Sequence, residues 1–118
     1  MAQTSDERVD LFRTVYLPRL IERYRPTRVL LFGSRARGTA LARTSDLDLI
    51  VVSEDFEGVP FLQRLSQVLW TLRTPFPVEV LCYTQEEYDR KKVEIGIVQV
   101  ASREGLDLLR GEMVSDRH

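Results

Sequence analysis

Cysteine and histidine are nearly absent from this chain of 118 residues, which has one of each. A single cysteine cannot form a disulfide within the chain. Cys82 lies in an apolar run, where a small buried side chain is a better interpretation than a nucleophile. The histidine is the terminal His118. Ser-His catalysis, Cys-His catalysis and His-bound zinc are therefore disfavoured.

Long apolar runs and a strong net charge are also missing. No run approaches the roughly 20 apolar residues of a membrane span. Residues 1–7 lack the basic start and apolar middle of a signal peptide. We therefore expect a cytoplasmic protein without a membrane partner. With 17 basic and 18 acidic residues, the formal charge is −1, and direct binding to nucleic acid is not expected.

The composition predicts one globular domain spanning residues 1–118, because 43% of the residues are hydrophobic and 30% are charged. Thr4 and Glu7 form a capping-box pattern ahead of a first helix, which Pro18 should kink or divide. The predicted core-facing residues of this helix are Val9, Phe12, Tyr16, Leu20 and Tyr24.

Three short apolar runs predict buried strands, at residues 28–32, 47–52 and 77–83. A helix should lie between the second and third strands, with a core-facing stripe of Phe61, Leu65, Val68 and Leu72. Two more helices should follow, the first opened by a Thr84–Glu87 capping box. The second covers residues 93–101 and ends near Gly105. Its valines and isoleucines also suit a strand, but helical spacing favours a helix with a face of Val93, Ile97, Val100 and Ala101. Residues 106–109 predict a short edge strand, and residues 112–118 a frayed tail. This order predicts an α+β fold in which helices flank a small mixed sheet of about four strands.

Asp46 and Asp48 are two residues apart in an extended segment, so their side chains should project from the same face. Two converging carboxylates repel each other, and the usual remedy is a hard cation such as Mg²⁺ or Mn²⁺. Glu79 lies mid-strand between two valines and becomes a third metal ligand if its strand adjoins that of Asp48. The alternatives are a polar strand edge in solvent and an exposed glutamate on an edge strand.

Gly33 and Ser34 directly follow the first strand and predict a phosphate site, since glycine permits a sharp turn and serine offers a hydroxyl and an N–H. Arg35 and Arg37 could add cationic donors to the same phosphates. The alternative is a helix N-cap serine with solvated arginines. A P-loop is excluded, because Thr39 stands where that motif needs lysine.

In combination, Phe32-Gly33-Ser34-Arg35-Ala36-Arg37-Gly38, Ser45-Asp46-Leu47-Asp48-Leu49 and the later strand acid Glu79 resemble the minimal nucleotidyltransferases (MNT) of the DNA polymerase β-like superfamily. The resemblance implies the polymerase-β-like nucleotidyltransferase fold. It also implies that Gly33, Ser34 and Arg37 bind the nucleotide, with ATP as substrate. Asp46, Asp48 and Glu79 would be the catalytic residues and would hold two Mg²⁺ or Mn²⁺ ions.

The same resemblance implies a partner. Stand-alone MNT proteins are typically paired with a HEPN protein, a helical RNase toxin, and the family precedent is an antitoxin that transfers AMP to a toxin tyrosine. One alternative is a catalytically weak or vestigial module that neutralises a HEPN partner by binding it. Two departures from the family pattern motivate this alternative. Eleven residues separate Ser34 from Asp46, one more than is common in the family, and position 79 is a glutamate where many members have aspartate. The extra residue predicts a bulge over residues 39–44.

Two further interpretations depend on surface features. Trp70 lies off the predicted core stripe of its helix, and the rim of the core is the favoured placement over a partner surface. An enzyme that adds nucleotides to RNA ends is disfavoured, because the chain is nearly neutral and lacks a basic strand face with interleaved aromatic residues.

Overall fold

The computed structural model describes residues 7–33 and 47–113, which form one five-stranded sheet with helices on both faces. The strands are β1 (Arg28–Phe32), β2 (Leu47–Val52), β3 (Val78–Tyr83), β4 (Leu106–Asp107) and β5 (Glu112–Met113). The helices are α1 (Glu7–Leu11), α2 (Leu17–Tyr24), α3 (Phe61–Leu72), α4 (Gln85–Lys91) and α5 (Ile97–Glu104), with a π-helical turn at Phe12–Tyr16 and a 3₁₀ turn at Glu54–Phe56.

The spatial order of the strands is β3-β2-β1-β4-β5. β2 and β3 are parallel, whereas β1 pairs antiparallel with both β2 and β4. The sheet is therefore mixed, which confirms the predicted α+β fold.

The end of the described chain differs from the prediction. Glu112 and Met113 pair with β4 as a fifth strand, so β4 is an inner strand rather than an edge. A tight turn explains the extra strand. Asp107 accepts hydrogen bonds on its side chain from the N–H groups of Leu109 and Arg110, and Gly111 supplies the positive φ of +73° that the reversal needs. Residues 114–118 lie outside the described part of the chain.

The first helix passes Pro18 without dividing. Proline lacks an N–H and its ring crowds the carbonyl one turn earlier, which disrupts an ordinary α-helix. Here the π-helical turn Phe12–Tyr16 widens the backbone just before Pro18, and Leu17 N–H bonds to the carbonyl of Phe12. The extra residue places Leu17 in the core, while the predicted Tyr16 is only half-buried. Thr4 of the predicted capping box lies outside the described residues.

Side-chain alternation along the strands builds a core on each face of the sheet. One core lies beneath α1, α2 and α3 and includes Leu49, Val51, Val80 and Cys82. The other lies beneath α4 and α5 and includes Leu30, Ile50, Val52, Tyr83 and Tyr88. Asp48 and Glu79 share strand parity with this second set, so both acids project from the face that α4 and α5 cover.

Two predicted helix faces are partly wrong. In α3, Val68 and Leu72 are buried as expected, but Phe61 is 42% exposed and the unexpected Arg64 is buried. In α5, the buried residues are Val98, Ala101 and Ser102, while Ile97 and Val100 are exposed and Val93 precedes the helix. Trp70 is 72% exposed, so the favoured placement at the rim of the core is wrong. The Thr84–Glu87 capping box and the Gly105 C-cap are confirmed.

Candidate active site

The candidate site lies at the end of the sheet where β1 finishes and where β2 and β3 begin. The register pairs Phe32 with Asp48 and Asp48 with Glu79. Adjacent strands are about 4.8 Å apart, so the two acids stand side by side on one face of the sheet. Asp48 is half-buried and Glu79 is exposed. The structure therefore brings together two of the three acids that the sequence predicts as metal ligands.

Gly33 lies directly against one of these carboxylates. Its φ is +79°, a conformation that favours glycine, and a β-carbon added there would lie 2.8 Å from Asp48 Oδ2. Real β-carbons essentially never come that close to a neighbouring atom, so any other residue at position 33 would have to displace the Asp48 carboxylate or the end of β1. The sequence predicts Gly33 as a point of close backbone approach, and the structure places that approach at a carboxylate.

The other predicted site residues lie outside the described part of the chain. These are Ser34, Arg37 and Asp46, together with the predicted bulge at residues 39–44. Among residues 7–33 and 47–113, no group of three acidic, histidine or cysteine side chains is close enough to hold a metal ion. The donors that the described residues offer are the carboxylates of Asp48 and Glu79, and such hard oxygen ligands fit Mg²⁺ or Mn²⁺.

A cleft of about 480 Å³ contains both carboxylates and extends over the outer side of β3. Its remaining walls are apolar and come from four elements: Phe32 of β1, Leu65 and Leu69 of α3, Val78, Val80 and Leu81 of β3, and Ile97 of α5. The site thus combines two charged groups at one end with a hydrophobic surface large enough for part of a substrate.

Arg64, which lies beside the other end of β3 from the site, is a buried charged residue that the sequence does not reveal. Its side chain is only 6% exposed, and its guanidinium donates to both carboxylate oxygens of Glu87, at 2.6 and 3.2 Å. It also donates to the carbonyls of Val59 (2.7 Å) and Cys82 (3.1 Å). This hydrogen-bonded pairing with Arg64 lowers the pKa of Glu87 to about 2. The sequence offers two weak indications of this pair. Arg64 lies one turn before Val68 on an apolar helix face, and Glu87 already belongs to a capping box.

Cys82 takes no part in the site. It is buried, and desolvation raises the pKa of its thiol to about 12, so the thiolate needed for nucleophilic attack is almost unpopulated at neutral pH. None of the helices in the described ranges is long and apolar enough to cross a membrane.

The mixed sheet with helices on both faces is the fold of a nucleotidyltransferase. Residues 15–103 match the family model described as the nucleotidyltransferase domain, and the chain belongs to this family, within the polymerase-β-like nucleotidyltransferases. It is also similar to the crystal structure of a Sulfolobus solfataricus protein proposed to be a nucleotidyltransferase. That structure superimposes with a TM-score of 0.51 at 26% identity, over 76% of this chain and 84% of the other. No curated protein matches the sequence.

Proposed function

We propose that this nucleotidyltransferase transfers AMP from ATP to a tyrosine hydroxyl of a HEPN-domain toxin and so acts as its antitoxin. One geometric observation supports this chemistry. Asp48 and Glu79 are neighbours in the register of β2 and β3, and Gly33 lies directly against the Asp48 carboxylate. The family supports nucleotidyl transfer as the reaction class. The choice of AMP and of a HEPN partner rests on the resemblance to minimal nucleotidyltransferases.

Each proposed residue has a task in this reaction. Gly33, Ser34 and Arg37 hold the triphosphate, while Asp46, Asp48 and Glu79 hold two divalent ions. When bound, these ions stabilise negative charge on the attacking and leaving oxygens. The acceptor oxygen forms a bond to the α-phosphorus, the bond from that phosphorus to the bridging oxygen breaks, and pyrophosphate leaves. Glu79, exposed at the start of the outer strand, accepts the proton of the hydroxyl.

The test uses ATP labelled at the α- or the γ-phosphate, incubated with Mg²⁺, this chain and a co-expressed HEPN-domain protein. The proposal predicts that the α-label, and not the γ-label, becomes attached to a tyrosine of the HEPN protein. It also predicts loss of labelling in Asp48→Asn, with Asp89→Asn as the matched control because Asp89 is an exposed carboxylate of α4 outside the lining of the cleft. Labelling from the γ-phosphate would contradict the proposal, since it would indicate a kinase.

A second candidate is a binding module that neutralises the HEPN protein by occupying it. The exposed apolar side chains of α3 favour this alternative, since Leu62 is 74% and Trp70 is 72% exposed. The same experiment separates the two functions. A binding module would inhibit the RNase activity of the HEPN protein without ATP and would do so equally well as Asp48→Asn. The proposed transferase requires ATP and an intact Asp48.

A further inference from the structure

A second cavity lies beside the cleft that holds Asp48 and Glu79. Its volume is about 530 Å³, and it lies between the start of α3, the end of β3 and α4. Its apolar walls are Phe61, Leu81 and Tyr83, and its charged walls come from α4 and the loop after it. Leu81 also lines the cleft, so the two spaces adjoin at this side chain.

The same three segments of the chain line the cleft and the cavity. Passing from the cleft to the cavity, the lining runs from Leu65 to Phe61 on α3, from Leu81 to Tyr83 on β3, and from Ile97 to Glu94 after α4. The two spaces therefore form one groove, which leads from the candidate catalytic carboxylates to α4. Glu79 and Tyr83 are four residues apart on β3, which corresponds to about 13 Å along an extended strand.

The cavity end of the groove carries one cation that no described carboxylate neutralises. Glu87 is 2.6 Å from the Arg64 guanidinium, and Lys91 is 3.7 Å from Glu94. Arg90 is exposed beside them on α4, and no ion pair joins it to a carboxylate within residues 7–33 and 47–113. Its guanidinium is therefore available to an anionic group of a ligand, and a carboxylate can accept two parallel hydrogen bonds from it.

The apolar walls of the cavity suit a hydrophobic group beside that charge. The rings of Phe61 and Tyr83 pack with their centroids 5.5 Å apart, and Phe61 is 42% exposed. An aliphatic or aromatic side chain of a ligand can cover this ring. A polypeptide supplies an apolar side chain and a carboxylate on nearby residues. A nucleic acid strand binds mainly through several phosphate contacts, whereas the described lining of the cavity offers one cation without an acidic partner.

We propose that an acidic segment of the acceptor protein lies along this groove, with its tyrosine at Asp48 and Glu79, an apolar side chain on Phe61, and an aspartate or glutamate paired with Arg90. This inference rests on the proposed function and defines the sequence that its substrate carries. The tyrosine oxygen bonds to the α-phosphorus of ATP, pyrophosphate leaves, and the phenolic proton passes to Glu79. An extended chain covers about 3.3 Å per residue, so the acidic residue should lie about three to five positions from the tyrosine.

The test uses a library of synthetic peptides with tyrosine fixed at the centre and the other positions varied, incubated with the full chain, Mg²⁺ and α-labelled ATP. Mass spectrometry identifies the peptides that gain AMP. We expect them to be enriched in aspartate or glutamate three to five positions from the tyrosine, with an apolar residue in between. A single-stranded RNA with a free 3′ hydroxyl is the competing acceptor.

The decisive variant is Arg90→Glu, with Arg103→Glu as its matched control. Both arginines are exposed in the last turn of a helix, and Arg103 lies outside the groove. Arg90→Glu should lower labelling of an acidic peptide about tenfold and should raise labelling of the same peptide with lysine in place of the acid. Arg103→Glu should stay within about twofold on both peptides. A reversal of charge preference cannot come from a fold that is merely damaged.

A second pair of variants tests the apolar wall. Phe61→Ala should lower labelling of peptides with an apolar side chain about fivefold, because it removes the ring on which that side chain packs. Leu62→Ala is the matched control, since Leu62 is the next residue of α3, is exposed and lies outside the groove. Circular dichroism confirms that each variant is folded.

Binding of ATP with Mg²⁺, measured on the same samples, separates this inference from the function on which it rests. If ATP binds but no peptide is labelled, if the labelled peptides show no acidic preference, or if Arg90→Glu keeps that preference, the groove proposal is wrong while nucleotidyl transfer stands. Labelling of the RNA in place of the peptides has the same meaning. If the folded wild type binds no ATP with either Mg²⁺ or Mn²⁺, both proposals fail.

Discussion

At the scale of single residues, Gly33 is important because its backbone conformation brings the end of β1 against the carboxylate of Asp48. Gly33→Ala places a β-carbon 2.8 Å from Asp48 Oδ2 at a φ of +79°. Gly58→Ala is a matched control, because Gly58 has nearly the same φ of +78° and an added β-carbon there meets nothing within 4 Å. We expect each variant to lose about 1 kcal/mol of stability from backbone strain.

Only Gly33→Ala should also lose Mg²⁺-dependent ATP affinity, by about tenfold or more, because the carboxylate must move away from the new carbon. Thermal denaturation and calorimetric titration of both variants measure the two effects separately. Equal ATP affinities in the two variants would show that the contact between Gly33 and Asp48 does not matter for nucleotide binding.

Glu87 makes stability depend on pH. Its pKa falls from 4.5 in the unfolded chain to about 2 in the folded one, chiefly through its hydrogen bonds with Arg64. The contribution of ionised Glu87 to the free energy of unfolding is therefore complete above about pH 5 and is lost as the pH falls towards 2. Since the side chain is 31% exposed, we discount the full shift for solvent screening and expect about 2 kcal/mol.

The measurement is urea denaturation at pH values from neutral down to acid, on the wild type, Glu87→Gln and Glu86→Gln. Glu86 is the matched control, since it is exposed on the same helix. The loss of stability in acid should be smaller in Glu87→Gln than in the other two proteins. Identical acid profiles for all three would mean that the Arg64–Glu87 pair does not contribute.

The residues that sequence reasoning predicts and those that it misses differ in how local their cause is. Gly33 and Glu79 can be picked out because a strand and its end are visible in the apolar pattern around them. Arg64 cannot, because its burial depends on a carboxylate 23 residues later and on a strand edge that exists only in the folded sheet. Tertiary pairing of this kind leaves almost no local pattern.

At the scale of elements, the capping box of α4 is both predicted and observed. Thr84 accepts a hydrogen bond from Glu87 N–H at 3.2 Å, and Glu87 accepts one from Thr84 N–H at 2.8 Å. Thr84→Ala should cost about 1 kcal/mol, because it removes the side-chain acceptor of the cap. Denaturant midpoints give this value, with Ser66→Ala on an exposed part of α3 as the control. A loss no larger than that of Ser66→Ala would contradict the assigned role of the cap.

Other elements show where local patterns fail. Pro18 predicts a kink or a division of the first helix. The π-helical turn at Phe12–Tyr16 keeps the helix from dividing, because packing of the flanking α1 and α2 on the sheet outweighs the local penalty. In α5 the valines and isoleucines repeat with helical spacing on two faces, and only contact with the sheet decides that Val98 and Ala101 are buried. Helical spacing alone cannot select between such faces.

At the scale of the whole molecule, Cys82 reports on global unfolding. It lies in the core between the sheet and α3, it is 1% exposed, and burial raises the pKa of its thiol to about 12. We expect a thiol reagent to modify the native protein very slowly at neutral pH and to react fully once guanidinium chloride unfolds it. The rise in reactivity should coincide with the loss of circular dichroism. Fast labelling of the native protein would show that β3 opens locally.

The order of helices and strands was predictable from the sequence, whereas the contacts between residues far apart in the chain were not. The alternation of apolar runs and helical stripes predicts an α+β fold, which the mixed sheet of the structure confirms. The family match confirms that the chain is a nucleotidyltransferase. The strand order explains why Asp48 and Glu79 meet, since they are separated by the whole of α3 and become neighbours only through the parallel pairing of β2 with β3. From the sequence alone, Glu79 is a predicted metal ligand only on the condition that its strand adjoins that of Asp48.

The central claim is that Asp48 and Glu79 form a metal-dependent nucleotide site, and calorimetric titration of ATP with Mg²⁺ tests it most directly. The proteins are the wild type, Asp48→Asn, Glu79→Gln and the control Asp89→Asn, each shown to be folded by circular dichroism. The account predicts that the wild type and Asp89→Asn bind ATP only when Mg²⁺ or Mn²⁺ is present, and that both site variants lose at least about tenfold in affinity. Equal binding by all four proteins, or wild-type binding that persists in a chelator, would contradict it.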